Sequence, residues 1–520
     1  MGDVARSADG GDSAAALSRR ATLRLLGITG IVVGATSLLA ACGAGTVATP
    51  PATPPPTSGA ASAAVASSTA AITSAASTTP AATTSTSAAA STPAAATTAS
   101  AVSSATSTAA APVASSGGAV PAATGAVEFW HIWSTGPQRQ WLLQALAALH
   151  TKSPGLQVQE SARDFWTFQE KVTAAAAAGT PPDVTMADAI TAPLRGLSGE
   201  NASLDARIAR DGVQLTDLVD YQAKMVAYGG KIWGLPFRPD TRILFYNKPL
   251  LQAAGIDPSK PPASWDTLWS QAQQLTKKGA DGKYAQLGFY PSLGNLWFWT
   301  MAWTDGAEFV DAKNVPTLAT DPILETLEWY VQWAQQYGDA TVNQWNKDLS
   351  SGPGKDPFSL EKLALDVNTN SYSATLKQAA PNVSWGVALI PYKVKEASWG
   401  AGFDLEIPAG AKHPDGAWEL IKWLDLDPEM NRQAILTTDS LVAVKAVNGN
   451  AEFTKDPVWK TVVDSSAVTR ALPQVPEAHD WSNKLYTHVT AAIAGKEAPK
   501  DALAKAQAEV TGEYQANKKG

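Results

Sequence analysis

The stretch VEFWHIWSTGPQRQWLLQALAALHTKSPGLQVQES, residues 127–161, changes its apolar period twice. VEFWHIW alternates like a strand, and the segment after it puts Trp141, Leu142, Ala145, Leu146 and Leu149 on one helical face. Pro154-Gly155 breaks the helix, and LQVQES reads as a second strand. Outward from there, FWTFQEKVTAAAAAG (165–179) is helical and is ended by Gly179 and Pro181. DVTMAD (183–188) follows as a short buried strand. Strand, helix, strand, helix, strand predicts an α/β fold with parallel pairing. Further on, DGAWELIKWLDLDPEMNRQAIL (415–436) predicts a core-facing helix through Ala417, Leu420, Ile421 and Leu424. KDALAKAQAEVTGEY (500–514) is a last amphipathic helix, and the chain has no internal repeat.

Upstream of the α/β body the composition collapses. Residues 43 to about 125 are nearly all Ala, Ser, Thr, Pro, Gly and Val, with no charge and no aromatic. Such a segment has no apolar face to offset its ordering entropy and is expected to be a flexible stalk. As a coil it would span roughly 50 Å. Cys42, the single cysteine of 520 residues, sits where this stalk begins. One thiol closes no intramolecular disulfide. Before it, SRRATLRLLGITGIVVGATSLLAA (18–41) has the basic start and apolar run of an export signal. As a membrane span, the run from Leu25 to Ala41 is at the short limit. Leu39-Ala40-Ala41-Cys42 resembles a bacterial lipobox, which implies a cleaved signal over 1–41 and a diacylated Cys42 at the head of a 42–125 stalk. Ser18-Arg19-Arg20 with Leu23 and Arg24 resembles the twin-arginine export motif, with Thr22 in place of the usual Phe, and the export route stays open. The expected location is the extracytoplasmic face of the cell membrane.

The formal charge is −7, which argues against nucleic acid as a partner, since phosphate calls for a basic surface. With no disulfide framework, stability must come from a large core, and the roughly 395 residues after 125 suffice for two lobes. All 19 Trp fall there, more than an ordinary core needs.

The body resembles the extracellular solute-binding proteins (family 1) of carbohydrate ABC importers, a family that includes maltose- and glycerol-phosphate-binding proteins. The resemblance rests on stretches in the family's order. VEFWHIWS (127–134) opens the first lobe, and AAAAAGTPPDVTMAD (174–188) follows. GKIWGLPFRPDTRILFYNKPLLQAAGI (230–256) with PPASWDTLWSQAQQLT (261–276) is the most diagnostic run. WGVALIPY (385–392), GAGFDLEIPAGAKHPDGAWELIKWL (400–424) and AIAGKEAPKDALAKAQ (492–507) complete it. The resemblance implies a two-lobed periplasmic-binding-protein fold of type II, with ligand in the cleft. Lobe I would take residues 126–238 and 398–449, and lobe II 239–397 and 450–520. Crossings would fall near Phe237-Arg238, between Pro391 and Ser398, and near Asn448. The cleft would close by hinge bending, and the closed form would dock on a membrane permease.

Sugars present hydroxyls at the ring edge and C–H faces, so binding them calls for aromatic platforms plus carboxylate, amide and guanidinium groups. The excess of Trp is explained if several line the cleft. Placed by the resemblance, the expected ligand contacts are Trp133 and Ser134 after the first strand, Trp166 in the second cleft loop, and Asp188 past the third strand. Asp240 and Arg242 stand at the first crossing, and Asn295 and Trp297 in GNLWFWT. Tyr372, Trp399, Gly402 and Trp481 complete the set, whereas Trp130 and Trp299 read as core. Glycines beside Trp399 would let backbone approach a ligand.

A Trp-rich cleft with carboxylates also suits an anchored glycoside hydrolase, which needs two positioned acids. A cell-wall adhesin would share the anchor and stalk. Against an enzyme stand the lack of a G-x-S-x-G elbow, P-loop, HExxH or CxxC, and the family resemblance. The five His are scattered without metal-ligand spacing, so neither metal nor cofactor is expected. The expected partners are a carbohydrate, the transmembrane subunits of an ABC permease and, through Cys42, the membrane; the body is expected to be a monomer.

Overall fold

Strand β1, Gly125–His131, forms because Val127, Phe129 and His131 bury on one face while Glu128 and Trp130 stay half-buried on the other. The computed structural model that shows this describes residues 125–350 and 355–518. The expected export signal, Cys42 and the Ala/Ser/Thr/Pro stretch up to 124 lie outside the described residues. Among those described, no helix is long and apolar enough to cross a membrane.

Helix Gly136–Lys152 takes Pro137 in its first turn and buries Trp141, Leu142, Ala145 and Leu149, with Leu146 half-buried. The chain then turns into β2, Leu156–Ala162. Helix Phe168–Ala177 ends at Gly179, whose φ of 71° suits glycine. β3, Val184–Asp188, buries all but its last residue. β1 pairs in parallel with β2 (Gly125 opposite Leu156, His131 opposite Ala162) and with β3 (Phe129 opposite Val184). The parallel βαβαβ start expected from the periods is therefore present.

β4, Leu235–Pro239, and β5, Arg242–Asn247, are buried along their whole lengths. Asn247 ends β5 and caps helix Lys248–Ala253, its Oδ1 accepting from the Leu250 amide at 3.0 Å. β6 is Leu365–Thr369, β7 Trp385–Ala388, β8 Ser398–Trp399, β9 Gly402–Glu406 and β10 Thr469–Arg470. One sheet has the order β2-β1-β3-β9-β4, with β9 antiparallel to both neighbours. It is mixed, not all parallel, because β9 belongs to a segment that returns from the other sheet. That second sheet, β6-β5-β7, is antiparallel. β8 and β10 form a short parallel pair.

The expected helix over 415–436 is two helices, Pro414–Asp425 and Pro428–Thr438. Pro428 lacks the amide to continue the first, and Asp427 caps the second. Ala417, Leu420, Ile421 and Leu424 are all buried.

Asp240-Thr241 carries the chain from one sheet to the other. Thr241 Oγ1 lies 3.0 Å from Ser398 Oγ, 2.8 Å from Ser465 Oγ and 2.6 Å from Thr469 Oγ1, all four residues buried. The connecting segments are thus tied through hydroxyls rather than apolar contacts alone.

The Trp excess goes mostly to packing. Ten of the 19 are buried, and only Trp166 is exposed. A ladder of Trp265, Trp269, Trp329 and Trp333 explains part of the number without any ligand.

Candidate functional site

Three stretches meet where the chain leaves the first sheet: the β4–β5 link, the β8–β9 link, and the loop before helix Phe298–Thr304. Arg242, only 5% exposed, is their keystone. Its Nη1 donates to Asp240 Oδ1 at 2.6 Å, and its Nε and Nη2 donate to Asn295 Oδ1 at 3.0 and 2.9 Å. The guanidinium carbon lies 3.8 Å from the Trp399 ring centre, a cation–π contact. Trp297 Nε1 also donates to Asn295 Oδ1, at 3.2 Å. Arg242 is thus fully engaged and offers no free cation.

Aromatic rings surround this polar knot. Trp297 stacks on Trp299 with centres 4.9 Å apart and 11° between planes. Trp399 meets both edge-on at 5.5 and 5.4 Å. Tyr486, on helix Trp481–Ile493, leans on Trp297 at 5.3 Å.

Hydrogen-bonding capacity is left over here. Asp240 Oδ1 accepts from Arg242 and from the Ala401 amide at 2.7 Å, while its Oδ2 has no partner among the described residues. Asn295 Nδ2 likewise donates to nothing described. The indole N–H groups of Trp299 and Trp399 are buried without an acceptor.

Asp188 ends β3. Its side chain is reached by solvent, with Arg195, Asp240 and Arg242 near enough to act on its charge. Burial pushes its pKa up to about 6, and Asp240 adds to the effect. The Ile190 amide, Arg195 and Arg242 pull the other way.

The sequence profile of the bacterial extracellular solute-binding protein family matches residues 135–428, more than half of the chain. The chain belongs to this family. Its fold is the two-lobed α/β fold of type II periplasmic-binding proteins. The solved structure of CpMnBP1 with mannotriose bound is 28% identical, covering 74% of this solute-binding protein and 99% of that chain at a TM-score of 0.66. A cyclic alpha-maltosyl-1,6-maltose binding protein from Arthrobacter globiformis shares the fold at 22% identity and a TM-score of 0.64, over 76% and 100% of the two chains. The maltooligosaccharide ABC transporter solute-binding lipoprotein of Streptococcus pneumoniae is 24% identical over 69% of this chain and 84% of its own length. Against binding proteins of Brucella abortus, 25% identical over 38% of this chain, the match spans about half (47%) of their length.

In this solute-binding protein Asp240, Arg242, Asn295, Trp297 and Trp399, all expected as ligand contacts, lie in contact with one another. Trp299 is buried, as expected, yet still edges the cluster. Gly402 serves chain packing rather than ligand approach: at φ 93°, a Cβ there would stand 2.0 Å from Arg238 O. Trp133 is half-buried against Phe237 (5.4 Å) and Trp141 (6.1 Å), with Ser134 exposed beside it. Two expectations are corrected. Tyr372 is buried and donates to Asp356 Oδ1 at 2.6 Å, and Trp481 is buried and donates to Pro473 O at 3.2 Å. Apolar packing claims both. Sequence reasoning missed Tyr486, whose contact with Trp297 is a tertiary accident of helix placement that no local pattern signals.

The raised pKa of Asp188 has a testable sign. Between about 4 and about 6 the folded protein holds a proton that the unfolded chain releases, so stability falls as pH rises through that window. Asp188→Asn keeps an acceptor for the Ile190 amide and removes the charge. Relative to the parent it should melt higher at pH 7, with the difference shrinking toward pH 4. A melting difference that does not change with pH would refute the raised pKa.

Proposed function

We propose that this protein captures a neutral carbohydrate between its two lobes and delivers it to the permease of an ABC importer, without chemical change. One observation carries this reading: stacked Trp rings stand beside Asp240 and Asn295, whose outer oxygen and nitrogen have no partner among the described residues, while Arg242 between them is already engaged. Hydroxyl-rich, uncharged ligands match such a surface, whereas anionic ones would face the carboxylates of Asp188 and Asp240. The mannotriose-bound relative and the pneumococcal maltooligosaccharide relative support a sugar. We take the lobes as 126–238 with 398–449, and 239–397 with 450–520. Ligand contacts are assigned to Asp188, Asp240, Asn295, Trp297, Trp399 and Tyr486, with Trp133 and Ser134 at the edge. Cys42 is proposed as the acylated anchor on the extracytoplasmic face, 42–125 as its tether, and the body as a monomer that needs no cofactor or metal.

Calorimetric titration of the full chain with linear gluco- and manno-oligosaccharides, glucose 6-phosphate and a uronic acid tests this. A neutral glycan should bind saturably and be recovered intact, and the anions should bind far more weakly. Cleavage of the glycan, or equal binding of the anions, would overturn the reading.

A further inference from the structure

His131 ends β1 and is fully buried, on the strand face that otherwise carries Val127 and Phe129. An imidazole there costs desolvation that an apolar side chain would not, unless both ring nitrogens find partners. Both do. Nδ1 lies 3.1 Å from the Trp133 amide, and Nε2 lies 2.8 Å from Glu160 Oε2 on β2. A backbone amide only donates, so Nδ1 is the acceptor and the ring's proton sits on Nε2. Nε2–H in turn donates to Glu160. Arg139, on helix Gly136–Lys152, donates to both oxygens of that carboxylate, with its Nη1 3.1 Å from Nε2. The Arg139 guanidinium holds the Glu160 carboxyl below its ordinary range, so Glu160 stays an acceptor. Burial pulls the His131 pKa down, which keeps the ring neutral at pH 7.

The bond from Trp133 repeats an Asx turn, in which a side-chain acceptor takes the amide two residues further on. It acts where β1 has ended and strand pairing no longer guides the chain. The Trp133 ring rests on Phe237 and Trp141, but its backbone is fixed by His131, and exposed Ser134 follows directly. One neutral ring thus ties the first turn after β1 to β2 and to the following helix.

We propose that His131 is a positioning residue of the site: its Nε2-protonated ring, oriented by Glu160 and Arg139, holds the Trp133 amide and so sets the edge that Trp133 and Ser134 form. The proposal rests on the carbohydrate reading above, which assigns that edge to the ligand.

Two variants of the full chain test it, by calorimetry with maltotriose and mannotriose and by melting without ligand. His131→Asn returns an acceptor to the place of Nδ1, as in an Asx turn, and should keep affinity for the bound trisaccharide within about threefold. His131→Gln reaches toward Glu160 but leaves the Trp133 amide without its acceptor. It should lower affinity about tenfold, the scale of one lost hydrogen bond. Both variants lose the ring that packs at 5.1 Å from Phe129, so both should melt lower by similar amounts. Equal losses of affinity in the two variants would make His131 a packing residue and overturn the proposal, as would unchanged affinity in both. Nitrogen-15 spectra of the histidine-labelled parent read the tautomer without any variant, the His131 ring being identified by its contact with Phe129. The Nε2–H form is expected at pH 7, and an Nδ1–H or doubly protonated ring would overturn the proposal. If the parent itself binds neither trisaccharide, the carbohydrate reading fails and this proposal with it.

Discussion

Arg242→Met is expected to weaken glycan binding at least a hundredfold, about 3 kcal/mol, and to lower stability. In the proposed site Arg242 is a positioning residue whose guanidinium sets three of the groups assigned to the ligand. It holds Asp240 Oδ1, fixes Asn295 through two N–H donors and packs against Trp399. Methionine fills the stem volume but supplies none of these bonds. Asp240 would keep only the Ala401 amide, and Asn295 only Trp297. Removing one member of a buried ion pair costs roughly 3–5 kcal/mol. The lower end applies, because Asp240 keeps 26% of its side-chain surface exposed and solvent screens it. Arg242→Lys separates charge from geometry: it retains a cation but loses the fork, so it should recover stability better than binding. Calorimetry and thermal melting read the two effects apart. Binding by the Met variant within threefold of the parent would mean that Asn295 and Trp399 keep their positions unaided, and Arg242 would lose its assigned role.

How far the site could be read in advance depended on how local its determinants are. β1, the first helix and β2 declare themselves through short periods, and their mutual packing follows from parallel βαβ geometry. Asp240 and Arg242 are two residues apart at a strand junction, so their pairing is nearly a local fact. Asn295 and Trp399 join them only because two further segments return to that junction, which the family resemblance supplied and periodicity did not. Tyr486 had neither local pattern nor resemblance to announce it. Tyr372 and Trp481 erred in the opposite way: an aromatic residue in a loop-like context reads the same whether the fold turns it to a cleft or to a core. Asp188 was legible as a strand end, but the raised pKa that burial gives it depends on tertiary surroundings that the local sequence does not show.

The same ambiguity gives the last expected result, a contrast between two Trp residues. Trp333→Ala should destabilise the protein by roughly 3–5 kcal/mol, the cost of emptying a large buried site, and leave glycan affinity unchanged. Trp333 is fully buried on helix Asp321–Tyr337, with Trp269 at 4.6 Å, Phe289 at 5.3 Å, Trp329 at 5.4 Å and Tyr337 at 5.6 Å. Interdigitated rings of this size cannot collapse to fill the gap, because each is wedged by its neighbours. Trp297→Ala should do the reverse. It is half-buried beside Asn295, so its loss should weaken binding by roughly 1–3 kcal/mol with little change in the melting of the unliganded protein. Melting without ligand, and the upward shift that a saturating glycan produces, separate the two effects, since a ligand stabilises only the state that binds it. A Trp333 variant that melts like the parent but no longer responds to glycan would move the Trp ladder from core to cleft. Equal loss of melting temperature in both variants would instead make Trp297 a packing residue, and the aromatic wall of the proposed site would shrink to Trp399 and Tyr486.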